Sequence, residues 1–283
     1  FRSEATLYGF GICITHDLGY GIPCMRNRAA SLMNETTILG VRFHHHSMKS
    51  LVDAVDRDIR EGKKVRLAFA NPEFVMEARR NSFIRNYLNN IDYCVADGIG
   101  IVWASRLIGQ SLPERITGTD FTEAMASLSA RRGYKIFLLG APKGVADQAA
   151  ERLYRDFGAH IVGTYHGYFD ADEEESVIEK INAAEPDFLM VCLGNPKQEE
   201  WIERNSQSLN PKVVFGNGGA IEFTARTYQR APRWLQALGF EWLHRLLIGD
   251  PSWNRLRRQL QLPAFLVLIF ASALYIRVLP KSP

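Results

Sequence analysis

Five times along this chain a short apolar run of strand length closes on Gly, Asn, Asp or Pro and passes into a segment of helical periodicity. Asp187 to Trp201 shows the pattern most fully: an apolar run ends at Gly194, and Pro196 stands where a first helical residue is expected. The junction recurs where Val65 to Ala70 meets Asn71-Pro72-Glu73 and where Ile91 to Ala96 meets Asp97-Gly98-Ile99-Gly100. It recurs again where Tyr134 to Leu139 meets Gly140-Ala141-Pro142-Lys143-Gly144, and where Val213 to Phe215 meets Gly216-Asn217-Gly218-Gly219. Apolar strands alternating with helices specify βαβ units, so the expected fold is α/β, a Rossmann-like parallel sheet flanked by helices. All the loops that follow the strands then share one face. Ligands of open α/β sheets bind at that face, where helix N-termini add N–H donors suited to phosphate.

The 283 residues, 46% hydrophobic and 23% charged, suffice for one large α/β core and a small appendage. A net charge of +3 is too small for a nucleic-acid-binding protein, but its distribution is uneven. Arg226 to Arg258 carries seven arginines against Glu241 and Asp250 alone, a stretch suited to an anionic membrane or a diphosphate. Cys13, Cys24, Cys94 and Cys192 lie far apart and read as core thiols of a reducing compartment. The start lacks the basic and apolar regions of a secretory signal.

Residues 1–36 lack clear periodicity and read as a leader, 37–225 as the core, and 226–283 as a helical appendage rich in arginine and aromatic residues. At the start of the core, TTILGVRF (Thr36 to Phe43) reads as a strand and Ser47 to Glu61 as a helix opened by an N-cap serine. Residues 262–276 are almost wholly apolar, yet shorter than the ~20 residues that span a bilayer. With no amphipathic stripe by which one face alone would pack, and with basic residues on both flanks, this tail is expected to embed in or lie on a membrane. A buried terminal helix and a short span with snorkelling flanks are the alternatives.

Asp97 is the leading candidate for a catalytic group. A carboxylate after a buried strand, flanked by Gly98 and Gly100, can approach a ligand closely and act as a general base toward a hydroxyl; an ordinary N-cap aspartate is the alternative. Asn71 stands at the matching place on another loop, where its amide either holds a hydroxyl or caps the next helix. Thr117, Thr119 and Asp120 offer hydroxyls and a carboxylate for sugar or phosphate, with Thr119 or Asp120 also good as a plain N-cap. Gln198 either hydrogen-bonds a base or sugar, or is a solvated surface residue. The turns Gly140 to Gly144 and Gly216 to Gly219 let backbone approach a nucleotide, but match neither G-x-G-x-x-G nor a P-loop. Asp170-Ala171-Asp172 mimics a metal-binding aspartate pair but directly precedes the acidic start of a helix, and His44-His45-His46 lacks partners at ligand spacing. No metal site is expected at either.

Taken in order, these motifs resemble the WecG/TagA/CpsF glycosyltransferases, classed as glycosyltransferase family 26. The resemblance runs from about Thr37 to Arg258. It rests on Asn71-Pro72-Glu73, Ala96 to Gly100, Arg115 to Asp120, Phe137 to Gly140, Gly163 to Phe169, Gly194 to Glu199, Gly216 to Gly219, Arg230-Ala231-Pro232 and Glu241 to Leu246. It implies an inverting, metal-independent transfer of sugar from a UDP-sugar to a polyprenyl-diphosphate-linked acceptor, at the cytoplasmic face of the membrane and with no cofactor. Asp97 then takes the role of general base, and Asn71 and Gln198 contact sugar or acceptor. Gly140, Pro142, Gly194, Pro196, Gly216, Gly218 and Gly219 line the nucleotide pocket, while Arg230, Arg245 and Arg255 close over the site and hold the diphosphate.

One position departs from the family pattern: Phe69 stands where many members carry threonine. The expected donor is UDP-glucose, in exopolysaccharide synthesis of the xanthan type, with an N-acetylmannosaminyl- or N-acetylmannosaminuronyltransferase as the alternative. A non-catalytic nucleotide-sugar-binding protein is the alternative of another class. An assembly of identical chains is compatible with all of these.

Overall fold

The computed structural model describes residues 35–225, 232, 235 and 261–278. The leader other than its last two residues, and most of the arginine-rich stretch, fall outside that set. TTILGVRF lies within a hairpin and not a single strand: β1 (Glu35–Ile38) pairs antiparallel with β2 (Val41–His44), because Leu39 and Gly40 both take positive φ and reverse the chain. Helix α1 (Met48–Arg60) follows, with Ser47 as its N-cap and Leu51, Val55 and Ile59 buried at four-residue spacing.

The body then alternates as expected. β3 (Val65–Ala70), α2 (Pro72–Ala78), α3 (Ser82–Asn90), β4 (Tyr93–Ala96), α4 (Ile99–Leu107), α5 (Gly118–Arg132), β5 (Lys135–Gly140) and α6 (Val145–Phe157) come first. β6 (His160–Tyr165), α7 (Glu174–Ala183), β7 (Phe188–Cys192), α8 (Lys197–Arg204), β8 (Val213–Gly216), α9 (Ala220–Thr224) and α10 (Gln261–Val278) complete the described elements. The six strands β3 to β8 form one parallel sheet in the order β4-β3-β8-β7-β5-β6. The expected runs are its inner strands and β4. The edge strand β6 reads HIVGTY and is half exposed, so no apolar run marks it.

Two apolar layers sandwich the sheet, and the direction in which each strand hands over to its helix positions the site. α2, α3, α4, α7, α8 and α10 pack on one face, α1, α5, α6 and α9 on the other. Adjacent strands β3, β8, β7 and β5 therefore send their chains alternately to opposite faces, through α2, α9, α8 and α6. Crevices open at the carboxyl ends of strands whose connections diverge in this way.

Helix α10 corrects the expectation that its segment has no face able to pack. Phe265, Ile269 and Ala273, spaced four apart, are buried against the layer that holds α2 and α4, whereas Leu266, Val267, Phe270, Leu274 and Tyr275 stay exposed. Both faces are apolar, which hid the division from any reading of polarity. No helix among the described residues is long and apolar enough to cross a membrane.

Candidate active site

The register of β3 and β4 fixes the first pair of candidate residues. Ala70 lies opposite Ala96, so Asn71 and Asp97 each stand one residue past paired strand ends, and the Asp97 N–H donates to the Ala70 carbonyl at 3.0 Å. Asn71 caps α2, its Oδ1 accepting from Phe74 N at 2.8 Å. Asp97 does not cap α4; Gly98 holds that position without a side-chain bond.

The third wall comes from the loop before α5. Ile116 N donates to the Ala96 carbonyl, which lays the segment beside Asp97. Thr117, and not Thr119 or Asp120, is the N-cap, accepting from Asp120 N. Gly118 meets the β8 loop at close quarters. A Cβ there would lie 1.7 Å from Asn217 Oδ1, and the Asn217 Nδ2 donates to both the Gly118 carbonyl and Thr122 Oγ1.

The fourth wall is the β7–α8 loop. Asn195–Pro196 is a cis peptide, and Pro196 is the N-cap of α8, one residue earlier than the first helical position expected of it. Gln198 is not a solvated surface residue. It is 2% exposed and its amide is fully engaged: Nε2 donates to Asn195 Oδ1 (3.1 Å) and Glu199 Oε1 (2.7 Å), and Oε1 accepts from Gly218 N (3.0 Å). Next to it Glu199 is equally buried, with Oε2 lacking a partner. Burial pushes its pKa up to about 8, against the opposing hydrogen bond from Gln198.

These four walls enclose a cavity of about 320 Å³. Asn71, Asp97, Thr117, Thr119, Pro196, Gln198, Gly216, Gly218 and Gly219 all line it, together with Glu73, Glu77, Phe69, Phe74, Phe223 and the first residue of α10, Gln261. Phe69 packs edge-on to Phe215 and tilted to Phe121, so the threonine-to-phenylalanine departure gives the cavity an aromatic floor.

A second groove, about 540 Å³, shares Gly218 and Gly219 with the first and continues over β5 and β7. Pro142, Gly194 and Lys197 line it, with Tyr168, Phe169, Asp170 and Glu222. Asp170 belongs to a capping box with Glu173 at a short 3-10 turn, as its acidic helix-start context suggested.

Two expected site residues line neither space. Asp120 lies in the first turn of α5. Gly140 has φ +133° and would press a Cβ to 2.3 Å from the Cys192 carbonyl, so its place is in the close packing of β5 on β7. Arg230, Arg245 and Arg255 lie outside the described residues, as do Cys13 and Cys24. Burial raises the Cys94 and Cys192 thiols, as core residues require. The three histidines bond separately, His44 to Cys94 N, His45 to Thr36 and His46 to Ser50.

The family model described as "Glycosyl transferase WecG/TagA/CpsF family" matches residues 36–277. The chain belongs to that family. A protein of Staphylococcus aureus strain MRSA252 is 33% identical over 234 residues, covering 82% of this chain and 91% of its own length. A protein of strain N315 matches to the same extent. Both are named N-acetylglucosaminyldiphosphoundecaprenol N-acetyl-β-D-mannosaminyltransferase. The chain is thus a glycosyltransferase, as the motif order implied, and not a binding protein without catalysis.

Glu73, Glu77, Asn217 and Glu199 line the cavity and Tyr168 the groove without having been singled out as candidates, although all but Glu77 lie inside the motifs that carry the resemblance. Glu199 had a readable signal: Gln198 and Glu199 share helical spacing with Trp201 and Ile202, the buried stripe of α8.

Proposed function

We propose that the enzyme transfers N-acetylmannosamine from a UDP-sugar to an N-acetylglucosaminyl-diphospho-polyprenyl acceptor, with inversion and without a metal ion. The carrying observation is that Asp97 and Asn71, on paired strand ends, share one cavity with the Thr117–Thr119 and Gly216–Gly219 loops. The names of the relatives support this sugar and acceptor over the UDP-glucose reading, which is the expectation set aside here.

In the single displacement, the Asp97 carboxylate takes the proton of the acceptor hydroxyl, and that oxygen forms the new bond to the anomeric carbon. The bond from that carbon to the diphosphate oxygen breaks on the opposite side, and UDP leaves with the electron pair. Asn71 and the Thr117 and Thr119 hydroxyls suit the sugar hydroxyls. The second groove, with the Tyr168 ring, Pro142 and Lys197, suits the nucleotide. Arg230, Arg245 and Arg255 take the diphosphate charge in this reading, with guanidinium forks doing the work often given to a metal.

The acceptor enters from the side of α10. Its first residue lines the cavity, and its exposed apolar ridge suits a membrane surface carrying the polyprenyl chain. Peripheral attachment to the inner membrane at its cytoplasmic face follows from that reading.

The test is to incubate the purified chain with UDP-N-acetylmannosamine, UDP-glucose and UDP-N-acetylmannosaminuronate, each with a lipid-diphosphate N-acetylglucosamine acceptor, and weigh the products. A single N-acetylhexosamine increment from the first donor, formed also in excess EDTA, is expected. A hexose increment from UDP-glucose alone overturns the donor assignment, and loss of all transfer in EDTA overturns the metal-free mechanism.

A further inference from the structure

Glu199 is a carboxyl group that the displacement does not use. It is 2% exposed and lines the same cavity as Asp97. One oxygen accepts from Gln198 Nε2 at 2.7 Å, and the other is buried without a hydrogen-bond partner. The elements packed on α8 bring it little compensation. α3 offers Tyr87, whose own hydroxyl is unpartnered, with the Arg66 guanidinium of β3 over its ring, and the exposed Arg85; β8 has no titratable side chain, the Cys192 thiol of β7 belongs to the opposite layer, and across the cavity stand the carboxyl groups of Glu73, Glu77 and Asp97. On its own helix, Glu200 adds a like charge. A carboxylate in that setting is a buried negative charge held only by Gln198 and its own backbone N–H, in a cavity that already carries the carboxyl groups of Glu73, Glu77 and Asp97. A carboxylic acid keeps an acceptor for Gln198 and removes the charge.

The neighbour it touches ties the site together. Gln198 has two N–H donors, given to Asn195 and Glu199, and one carbonyl, taken by Gly218 N–H. Turning the amide over sets Oε1 against Asn195 Oδ1 and Nε2 against the Gly218 N–H, so the bonds to both loops are lost at once. We propose that Glu199 works as a neutral carboxylic acid, a positioning residue that fixes the Gln198 amide so that it joins the β7–α8 and β8–α9 loops across the transfer cavity. The proposal rests on this cavity being the site of transfer. Ionisation puts a charge beside an anionic donor and draws water toward Oε2, so the cost falls on donor capture by the free enzyme.

The pH dependence of kcat/KM for the UDP-sugar, measured on full-length wild type, Glu199→Gln, Glu199→Ala and Asp97→Asn from pH 6.5 to 9.5, tests it. Wild type is expected to fall about tenfold per pH unit above about 8, the pH to which burial raises this group, while kcat changes less. Glu199→Gln, which keeps the shape of the neutral acid, loses less than about tenfold at neutral pH and loses the alkaline fall; Glu199→Ala drops on the order of a hundredfold or more. A Glu199→Gln profile that keeps the wild-type alkaline fall, or a loss as deep as that of Glu199→Ala at every pH, overturns the proposal. Should Glu199→Ala fail to fold in a thermal melt, the wild-type and Glu199→Gln profiles decide alone. Full activity of Asp97→Asn would instead overturn the assignment of the cavity, independently of Glu199.

Discussion

Replacing Glu199 by glutamine should change how stability depends on pH, apart from any effect on turnover. The unfolded chain releases this proton near the ordinary value of 4.5, whereas the folded protein keeps it to about 8. Between those values the folded state binds more protons, so stability falls as pH rises through the window and levels off above it. The gap, at about 1.4 kcal/mol per pH unit, is worth about 5 kcal/mol at most, of which about 3 kcal/mol is lost by pH 7. Glutamine has no such titration. The two proteins should therefore melt at temperatures a roughly constant distance apart below pH 4.5, with the variant gaining steadily from there to pH 8. At roughly 2–4 °C per kcal/mol for a chain of this size, the relative gain is on the order of 10 °C. Urea titrations at pH 5, 6, 7 and 8 give the same quantity as free energy. A difference between variant and wild type that stays the same from pH 5 to 8 would refute the reasoning, because it would mean that the folded protein already holds Glu199 as a carboxylate.

Asp97→Asn should lower kcat by about 10²–10⁴ while leaving the affinity for UDP within a few fold, checked by turnover and by calorimetric titration. Gly140→Ala should cost about 3 kcal/mol or more in a urea melt, since the residue sits at φ +133° and its new methyl would meet the Cys192 carbonyl; a loss below 1 kcal/mol would contradict that packing. Leu266→Ser with Phe270→Ser should weaken sedimentation with anionic vesicles by at least tenfold at an unchanged melting temperature, because both side chains are exposed on α10.

Much of the fold was legible because an inner strand of a parallel sheet is buried on both faces, so Val65–Ala70 and Phe188–Cys192 are apolar at nearly every position. The strand-end loops were legible for the same reason, and with them Asn71 and Asp97. What escaped depends on contacts distant in sequence. The Asn217 amide lies between Gly118 and Thr122, nearly a hundred positions away, and no local pattern encodes that. Gln198 and Glu199 look like solvated polar residues at a helix start. They are buried because β8 and its loop close over them: a Cβ on Gly216 would stand 2.8 Å from Gln198 Nε2. In α10 the failure was of another kind, since a helix apolar all round gives no sign of which residues the core takes and which it leaves outside.

The charges of the two spaces bear on how a diphosphate can be held. The cavity is lined by the carboxyl groups of Glu73, Glu77, Asp97 and Glu199, and no lysine, arginine or histidine is among its described lining residues. The groove has Lys197 against Asp170 and Glu222. In the proposed reaction a UDP-sugar brings further negative charge to both, and departing UDP adds more as the bond from the anomeric carbon to the diphosphate breaks. Keeping Glu199 neutral lightens this load by one charge, but it does not supply a cation. The chain concentrates seven arginines between Arg226 and Arg258, directly between α9, which begins behind the shared Gly218–Gly219 turn, and α10, whose first residue lines the cavity. In the proposed reaction the positive charge comes from this segment, which in sequence joins the core to α10. On that reading, removing its arginines should depress leaving-group departure more than it depresses folding.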